Sequence, residues 1–171
     1  MNYFKQETER LLFRKFDKND VEGWTDFFEN NSGLKYLGID LNKDNSVLAI
    51  EWIAKQLERY KDEGLGHLVA ISKKTGEFVG VGGILPRIIQ GKAEYEIAYS
   101  IKPKFWGMGY ATEIAQEMKS FGMNHHISNR FISIIHKENA ASIRVAQKNG
   151  MSILYEMEYL GMNVFVFGID N

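Results

Sequence analysis

The sequence predicts an α+β fold, in which a mixed, mainly antiparallel sheet of about seven strands is flanked by about four helices. Strand-like alternation between glycine-containing turns recurs along the chain, and a strand–helix–strand–helix succession fills its second half. This succession favours a central parallel pair made of the fourth and fifth strands. With 171 residues, of which 44% are hydrophobic, the chain is expected to form one domain over residues 1–171.

The first half of the chain predicts a strand, two helices and a hairpin. Residues 10–16 alternate like a strand, and the apolar spacing over residues 20–30 is helical. Ser46 is placed to cap a second helix, which Gly64 ends. The apolar stripe of that helix consists of Ile50, Ile53, Leu57 and Tyr60. Strands over 67–71 and 77–85 flank a turn at Gly76, after which Pro86 and Gln90-Gly91 are expected to break the chain.

The second half predicts the strand–helix–strand–helix unit followed by two closing strands. The strands cover residues 94–101 and 130–135, and the helices cover 110–123 and 139–149. Residues 152–157 and 161–169 form the last two strands. A ligand is expected at the carboxyl ends of the parallel strands, where they meet the beginning of a helix.

The turn between residues 101 and 113 predicts an anion-binding loop. Gly107 and Gly109 stand between the fourth strand and the helix that begins near Tyr110. Glycines allow the backbone to approach a ligand closely, and the first N–H groups of a helix lack intrahelical acceptors and lie at its positive end. A phosphoryl group suits such a site. A Gly-x-Gly alone is also typical of a simple strand-to-helix turn.

The sequence around this turn resembles the GNAT superfamily of acetyl-CoA-dependent N-acyltransferases, in particular the branch of ribosomal-protein N-terminal acetyltransferases. Residues 8–14, with an acidic residue at 20, are similar to the family's first strand and the opening of its first helix. Residues 93–99 and 106–113 are similar to its fourth strand and acetyl-CoA loop, and residues 139–142 with 148–151 to its next block. The resemblance implies the GNAT fold, with the central parallel pair splayed at the cofactor site, and acetyl-CoA as cosubstrate.

The resemblance also implies the residues that hold the cofactor. The backbone of the fourth strand would pair with the pantetheine arm, and the loop would hold the pyrophosphate. Asn139, which is also an ordinary helix N-cap, and Ser142 would lie near the arm and the thioester. The implied cofactor residues are Tyr99, Ser100, Ile101, Trp106, Gly107, Met108, Gly109, Tyr110, Ala111, Asn139 and Ser142. Lys104 stands where the superfamily often has Gln or Arg.

Catalysis of amide formation needs a proton acceptor for the attacking amine. Glu96 matches a family glutamate and is the candidate base, acting directly or through a water molecule. Glu94 shares its face of the strand, so both carboxylates could instead lie on an ordinary solvated face. The tyrosine that many relatives use to protonate the thiolate is replaced by Ala146, which leaves Ser142, a water molecule or no acid at all. Tyr36 is the candidate for the wall of the acceptor site.

Composition excludes several other classes of function. The chain has no cysteine, so thiol nucleophiles and thiolate metal sites are excluded, and its four histidines lack metal-site spacing. A net charge of −1 gives no basic excess for nucleic acid, and no apolar run is long enough to span a membrane. A cytoplasmic monomer or homodimer without a metal is expected.

The sequence leaves two hypotheses for the function. The first is an N-acetyltransferase that acts by direct attack of an amine, which could belong to a protein N-terminus or a small molecule. The second is a module that binds CoA as a sensor or structural element without turnover, a reading motivated by Ala146 and Lys104.

Overall fold

The computed structural model describes residues 2–62 and 64–170, which build one seven-stranded sheet in the order β1-β2-β3-β4-β5-β7-β6. The strands are β1 (Leu11–Arg14), β2 (Gly66–Ser72), β3 (Phe78–Ile89), β4 (Lys92–Ile101), β5 (Arg130–His136), β6 (Ser152–Tyr159) and β7 (Met162–Asp170). The α-helices are α1 (Val21–Thr25), α2 (Asn45–Asp62), α3 (Tyr110–Asn124) and α4 (Ala140–Lys148). The predicted fold class is therefore confirmed.

The central strands β4 and β5 form the parallel pair, and they separate soon after they meet. Their register contains the single match Glu96 with Ile132, whereas every other neighbouring pair of strands is antiparallel. Past this match, the Ser133 hydroxyl donates to the Ile97 carbonyl at 2.7 Å, in place of a backbone donor. The remainder of both strands, to Ile101 and His136, has no pairing across the gap. A gap flanked by backbone edges opens there.

Helices cover both faces of the sheet. On one face, Ile114 of α3 lies so close to Gly82 of β3 that a Cβ there would come within 2.1 Å of it. On the other, Trp52 of α2 stacks on His67 of β2, with ring centroids 5.4 Å apart. His67 and Leu68 point to opposite faces because they are neighbours on β2, and Leu68 pairs with Gly82. Helices α3 and α2 therefore lie on opposite faces of the sheet.

The predicted helix over residues 20–30 is mostly wrong. Only Val21–Thr25 is α-helical, between two 3₁₀ turns at Lys18–Asp20 and Asp26–Phe28. Val21, Gly23 and Thr25 are all weak helix formers, and the Thr25 hydroxyl donates back to the Val21 carbonyl at 2.8 Å. The segment is held by packing instead: Trp24 is fully buried and stacks on Phe27 at 4.4 Å.

Two predictions for α2 need correction. Ser46 does not cap the helix, because α2 begins one residue earlier and the Asp44 carbonyl already accepts from the Leu48 N–H. Ile50 is 52% exposed and lies outside the buried stripe. The buried residues are Leu48, Ala49, Ile53, Gln56 and Tyr60. Gln56 belongs to this stripe because its side-chain Oε1 accepts from the His67 N–H at 2.9 Å.

Pro86 does not break the chain as predicted. It lies inside β3 opposite Tyr95, and β3 continues to Ile89 before the turn at Gln90-Gly91. The pairing of β3 with β2 ends at Ile84, so at Pro86 one side of β3 needs no backbone donor. This extension of β3 brings Arg87 next to β4.

Candidate active site

The turn before α3 has the backbone geometry of an anion cradle. Gly107 and Gly109 have positive φ angles of 76° and 80°. The first N–H with an intrahelical acceptor is that of Glu113, which donates to the Gly109 carbonyl at 3.1 Å, so the N–H groups of residues 110–112 have no acceptor within the helix. The Trp106 indole fixes the start of the turn by donating to the Ile101 carbonyl at 2.8 Å.

Arg10, the residue before β1, stabilises the cradle through three contacts. Arg10 donates to the Met108 carbonyl at 2.9 Å, forms an ion pair with Glu113 at 2.6 Å and stacks over the Tyr110 ring. Lys104 plays no part in the cradle, because its exposed ammonium pairs with Glu77 of the β2–β3 hairpin. The positive charge beside the cradle therefore comes from Arg10, which the sequence did not single out.

The N-terminus of α4 lies against the gap between β4 and β5. The Asn139 side chain caps this helix by accepting from the Ser142 N–H at 3.1 Å, and the Tyr99 hydroxyl donates to the Ser142 carbonyl at 3.1 Å. Burial raises the pKa of Tyr99, so its hydroxyl stays protonated at neutral pH. Ala146 is buried in a cluster with Ile135 and Met151, and its methyl group offers no proton for the thiolate.

A continuous cavity of about 900 Å³ runs from the cradle through the gap to the face covered by α2. Of the predicted cofactor residues only Met108 does not line it; that side chain is 52% exposed. The residues that line it are Tyr99, Ser100, Ile101, Trp106, Gly107, Gly109, Tyr110, Ala111, Asn139 and Ser142. Glu96 and Tyr36 also line it, so the structure brings together residues that are far apart in the chain.

Glu94 and Glu96 are both buried, each with 7% of its surface exposed, so the alternative of a solvated strand face is wrong. Glu96 forms an ion pair with Arg87 at 2.7 Å and lines the cavity. Glu94 is paired with Arg130 instead and does not line the cavity. The two carboxylates therefore differ in what they can reach.

Tyr36 belongs to a 3₁₀ turn that closes over the gap. Its ring lies 4.9 Å from that of His136 at the end of β5, and its hydroxyl donates to the Glu138 carbonyl at 3.4 Å. The His136 Nδ1 accepts from the Glu138 N–H at 3.1 Å, which fixes the ring. Tyr36 and His136 both line the cavity.

Sequence reasoning missed the far end of the cavity. Six residues of α2 line the cavity at helical spacing, namely Leu48, Glu51, Trp52, Lys55, Gln56 and Arg59. His67 of β2 and Arg87 of β3 complete this end. The spacing on α2 was the available signal, but charged residues at such positions are more often on a solvated helix face.

Comparison with known proteins decides the family. The acetyltransferase (GNAT) domain matches residues 10–152. This chain belongs to the GNAT acetyltransferase family. It is 38% identical over 101 residues to the uncharacterized protein YkkB of Bacillus subtilis, and this match spans 59% of each chain.

Solved GNAT structures have the same fold. A putative ribosomal-protein-serine acetyltransferase from Vibrio cholerae superposes with a TM-score of 0.81 at 17% identity, over 98% of both chains. The microcin C7 self-immunity acetyltransferase MccE, in complex with acetyl-CoA and AMP, superposes with a TM-score of 0.79 at 14% identity, over 96% of this chain and 94% of that one. At these identities the similarity establishes the fold alone.

The residues of this GNAT chain fit a CoA thioester. Unpaired backbone donors, a nearby arginine and a strand edge suit a pyrophosphate followed by an amide-containing arm. Among residues 2–62 and 64–170, no group of three or more His, Asp or Glu side chains is placed to hold a metal ion. Within the same residues, none of the helices has the length and apolar character required to cross a bilayer.

Proposed function

We propose that this GNAT protein transfers the acetyl group of acetyl-CoA to a primary amine by direct attack within a ternary complex. The observation that supports this most strongly is the single cavity that joins the cradle, the gap between β4 and β5, and the buried carboxylate of Glu96. A donor bound on one side and an acceptor on the other would meet in the gap.

Each part of the cavity has a role in this proposal. The N–H groups of residues 110–112 and Arg10 bind the pyrophosphate, and the free edge of β4 from Tyr99 to Ile101 binds the pantetheine arm. Acetyl-CoA supplies the activated acetyl thioester. Asn139 holds the first turn of α4 so that Ser142 lies near the thioester.

Glu96 is proposed to accept the proton that the amine loses, either directly or through a water molecule. The new C–N bond forms as the C–S bond breaks, and the CoA thiolate leaves. Ser142 or a water molecule beside the gap would return a proton to the thiolate. Arg87 keeps the Glu96 carboxylate in place through their ion pair.

The proposal is tested by CoA release and product mass on a panel of small amines and N-terminal peptides. We expect CoA release that depends on the amine and an equal amount of acetylated amine. Tight binding of acetyl-CoA, without turnover on any amine, would favour the alternative of a CoA-binding module.

A further inference from the structure

Glu96 points to the same face of the sheet as two side chains in the second half of β5. It is matched in register with Ile132, and matched residues of neighbouring strands point to one face. Alternation along β5 places Ile134 and His136 on that face too, with Ile134 about 7 Å beyond Ile132. Ile134 and His136 both line the cavity. An amine that gives its proton to Glu96 therefore has these two side chains as neighbours.

Strand β7 extends this surface. Val164 is opposite His136 in the antiparallel register, and Met162 lies two residues earlier on the same face. Val164 and Met162 both line the cavity. Helix α4 packs against Ile135, which points to the opposite face, so that helix does not cover this surface.

The loop of residues 33–39 lies over this surface instead. The Tyr36 ring is 4.9 Å from the His136 ring, and a Cβ at Gly38 would come within 3.0 Å of the Met162 Cε. Leu37, which lies between these two contacts in the chain, also lines the cavity. The loop and the two strands therefore enclose one part of the cavity.

The side chains of this enclosed part present apolar surface to the cavity. We call them the apolar wall, which consists of Tyr36, Leu37, Ile134 and Met162. Each of the four is half-buried, so each has surface left for a ligand. The Tyr36 hydroxyl already donates to the Glu138 carbonyl, which leaves the face of its ring for packing. Apolar surface of this kind is stabilised when an apolar group of a ligand displaces water from it.

We propose that the apolar wall binds an aliphatic or aromatic group of the acceptor, which makes the acceptor a primary amine with an apolar group a few bonds from the reactive nitrogen. This inference rests on the proposed acetyl transfer and deepens it by assigning the acceptor class. The first side chain of a protein N-terminus and the substituent of a small amine both offer such a group, and matched acceptors separate the two. Amino sugars place hydroxyl groups there instead.

Acceptors that differ mainly in the polarity of this group test the inference. One pair is 3-methylbutylamine with β-alaninamide, which has nearly the same shape, and the other is two peptides that differ only in a first residue of leucine or asparagine. We expect kcat/KM, calculated for the neutral amine, to be at least about tenfold higher for the apolar member of one pair, the scale of an apolar group gained in an apolar pocket. The pair that shows this preference identifies the source of the amine. Equal values, or a preference for the polar member, in both pairs would overturn the inference.

Ile134→Thr should raise KM for the preferred apolar acceptor by about tenfold and leave KM for acetyl-CoA unchanged, because threonine stays β-branched but replaces an ethyl group with a hydroxyl. Ile153→Thr is the matched control, because Ile153 is a strand isoleucine that is 50% exposed and does not line the cavity. If the two variants behave alike toward the apolar acceptor, the apolar wall does not bind it.

A binding measurement on the unaltered chain separates this inference from the proposed function. In protein with ¹³C-labelled methionine methyl groups, with and without CoA, the apolar acceptor should shift the methyl resonance of Met162, identified by its loss in Met162→Leu. Its polar partner should not. Loss of turnover and of acetyl-CoA binding would refute acetyl transfer and leave this readout standing. An unchanged Met162 resonance with every apolar acceptor would refute the role of the apolar wall even in an active enzyme.

Discussion

At the scale of single residues, Glu94 and Glu96 show that burial alone does not decide what a carboxylate can do. Both belong to one face of β4, have the same exposed fraction and pair with an arginine. They differ in that only Glu96 lines the cavity. The chemistry proposed for Glu96 thus depends on access to the acceptor amine.

Replacing Glu96 with Gln tests the base directly. Gln keeps the size and much of the hydrogen bonding but removes the basicity, so kcat near neutral pH should fall by about 10²-fold. Raising the pH should recover part of the loss, because more of the amine is then already neutral. KM for acetyl-CoA should not change. The measurement is a pH–rate profile from CoA release.

Glu94→Gln is the matched control for this change, since Glu94 is equally buried but does not line the cavity. It should leave kcat and its pH dependence close to wild type, whatever it does to stability. Equal losses in the two variants would remove Glu96 from the mechanism and leave proximity of the substrates as the source of catalysis.

Some residues of the site could be predicted from a local sequence motif, and others could not. Glu96 and Gly109 could be predicted, because each belongs to a motif with a fixed place on a strand or turn. His67 could not be predicted to line the cavity, since its place there depends on the packing of α2 against β2 through Trp52. Arg10 was not predicted as a site residue either, because its hydrogen bond to the Met108 carbonyl joins residues 98 positions apart in the chain.

At the scale of elements, the strand–turn–helix unit from β4 to α3 carries the proposed donor site. Its glycines are required for their backbone conformation, since a Cβ at Gly107 would meet nothing within 4 Å and one at Gly109 only Arg10 at 3.5 Å. Positive φ angles are unfavourable for β-branched residues above all. The exposure of the N–H groups in this turn therefore depends on glycine at positions 107 and 109.

Gly109→Val should abolish the rise in Tm that acetyl-CoA causes, because valine disfavours the φ of 80° and narrows the approach to the backbone. In the wild type, acetyl-CoA at about 100 times its Kd should add roughly 2.7 kcal/mol to the free energy of unfolding. The measurement is thermal unfolding with acetyl-CoA, CoA or adenosine.

Gly91→Val provides the control, because Gly91 has a φ of 76°, nothing within 4 Å of a Cβ, and a place at the opposite end of β4. It should lower the Tm of the free protein and keep the shift with acetyl-CoA. If Gly109→Val keeps that shift as well, the turn is not a cradle.

Elements with a regular apolar period could be predicted from the sequence, whereas those stabilised mainly by tertiary packing could not. The strands and α3 follow regular apolar spacing, and their predicted ranges fall within a few residues of the observed ones. The segment around α1 combines weak helix formers with buried aromatic residues, so tertiary packing decides its 3₁₀ turns. The predicted break at Pro86 was wrong because a proline is compatible with a strand that has no partner on one side.

At the scale of the whole molecule, the separation of β4 and β5 in the centre of the sheet organises the proposed function. It joins the cradle, Glu96 and the side chains of α2 in one cavity of about 900 Å³. The family blocks in the sequence pointed to the donor side. The acceptor side depends on α2 and its contacts with β2 and β3, for which the chain carries no comparable motif.

Steady-state kinetics with both substrates varied, together with the mass of the protein after incubation with acetyl-CoA alone, test direct transfer across this gap. The proposed mechanism predicts intersecting double-reciprocal lines and a protein of unchanged mass, because the acetyl group passes to the amine without resting on the chain. Parallel lines and a covalently acetylated protein that donates its acetyl group to the amine would contradict it.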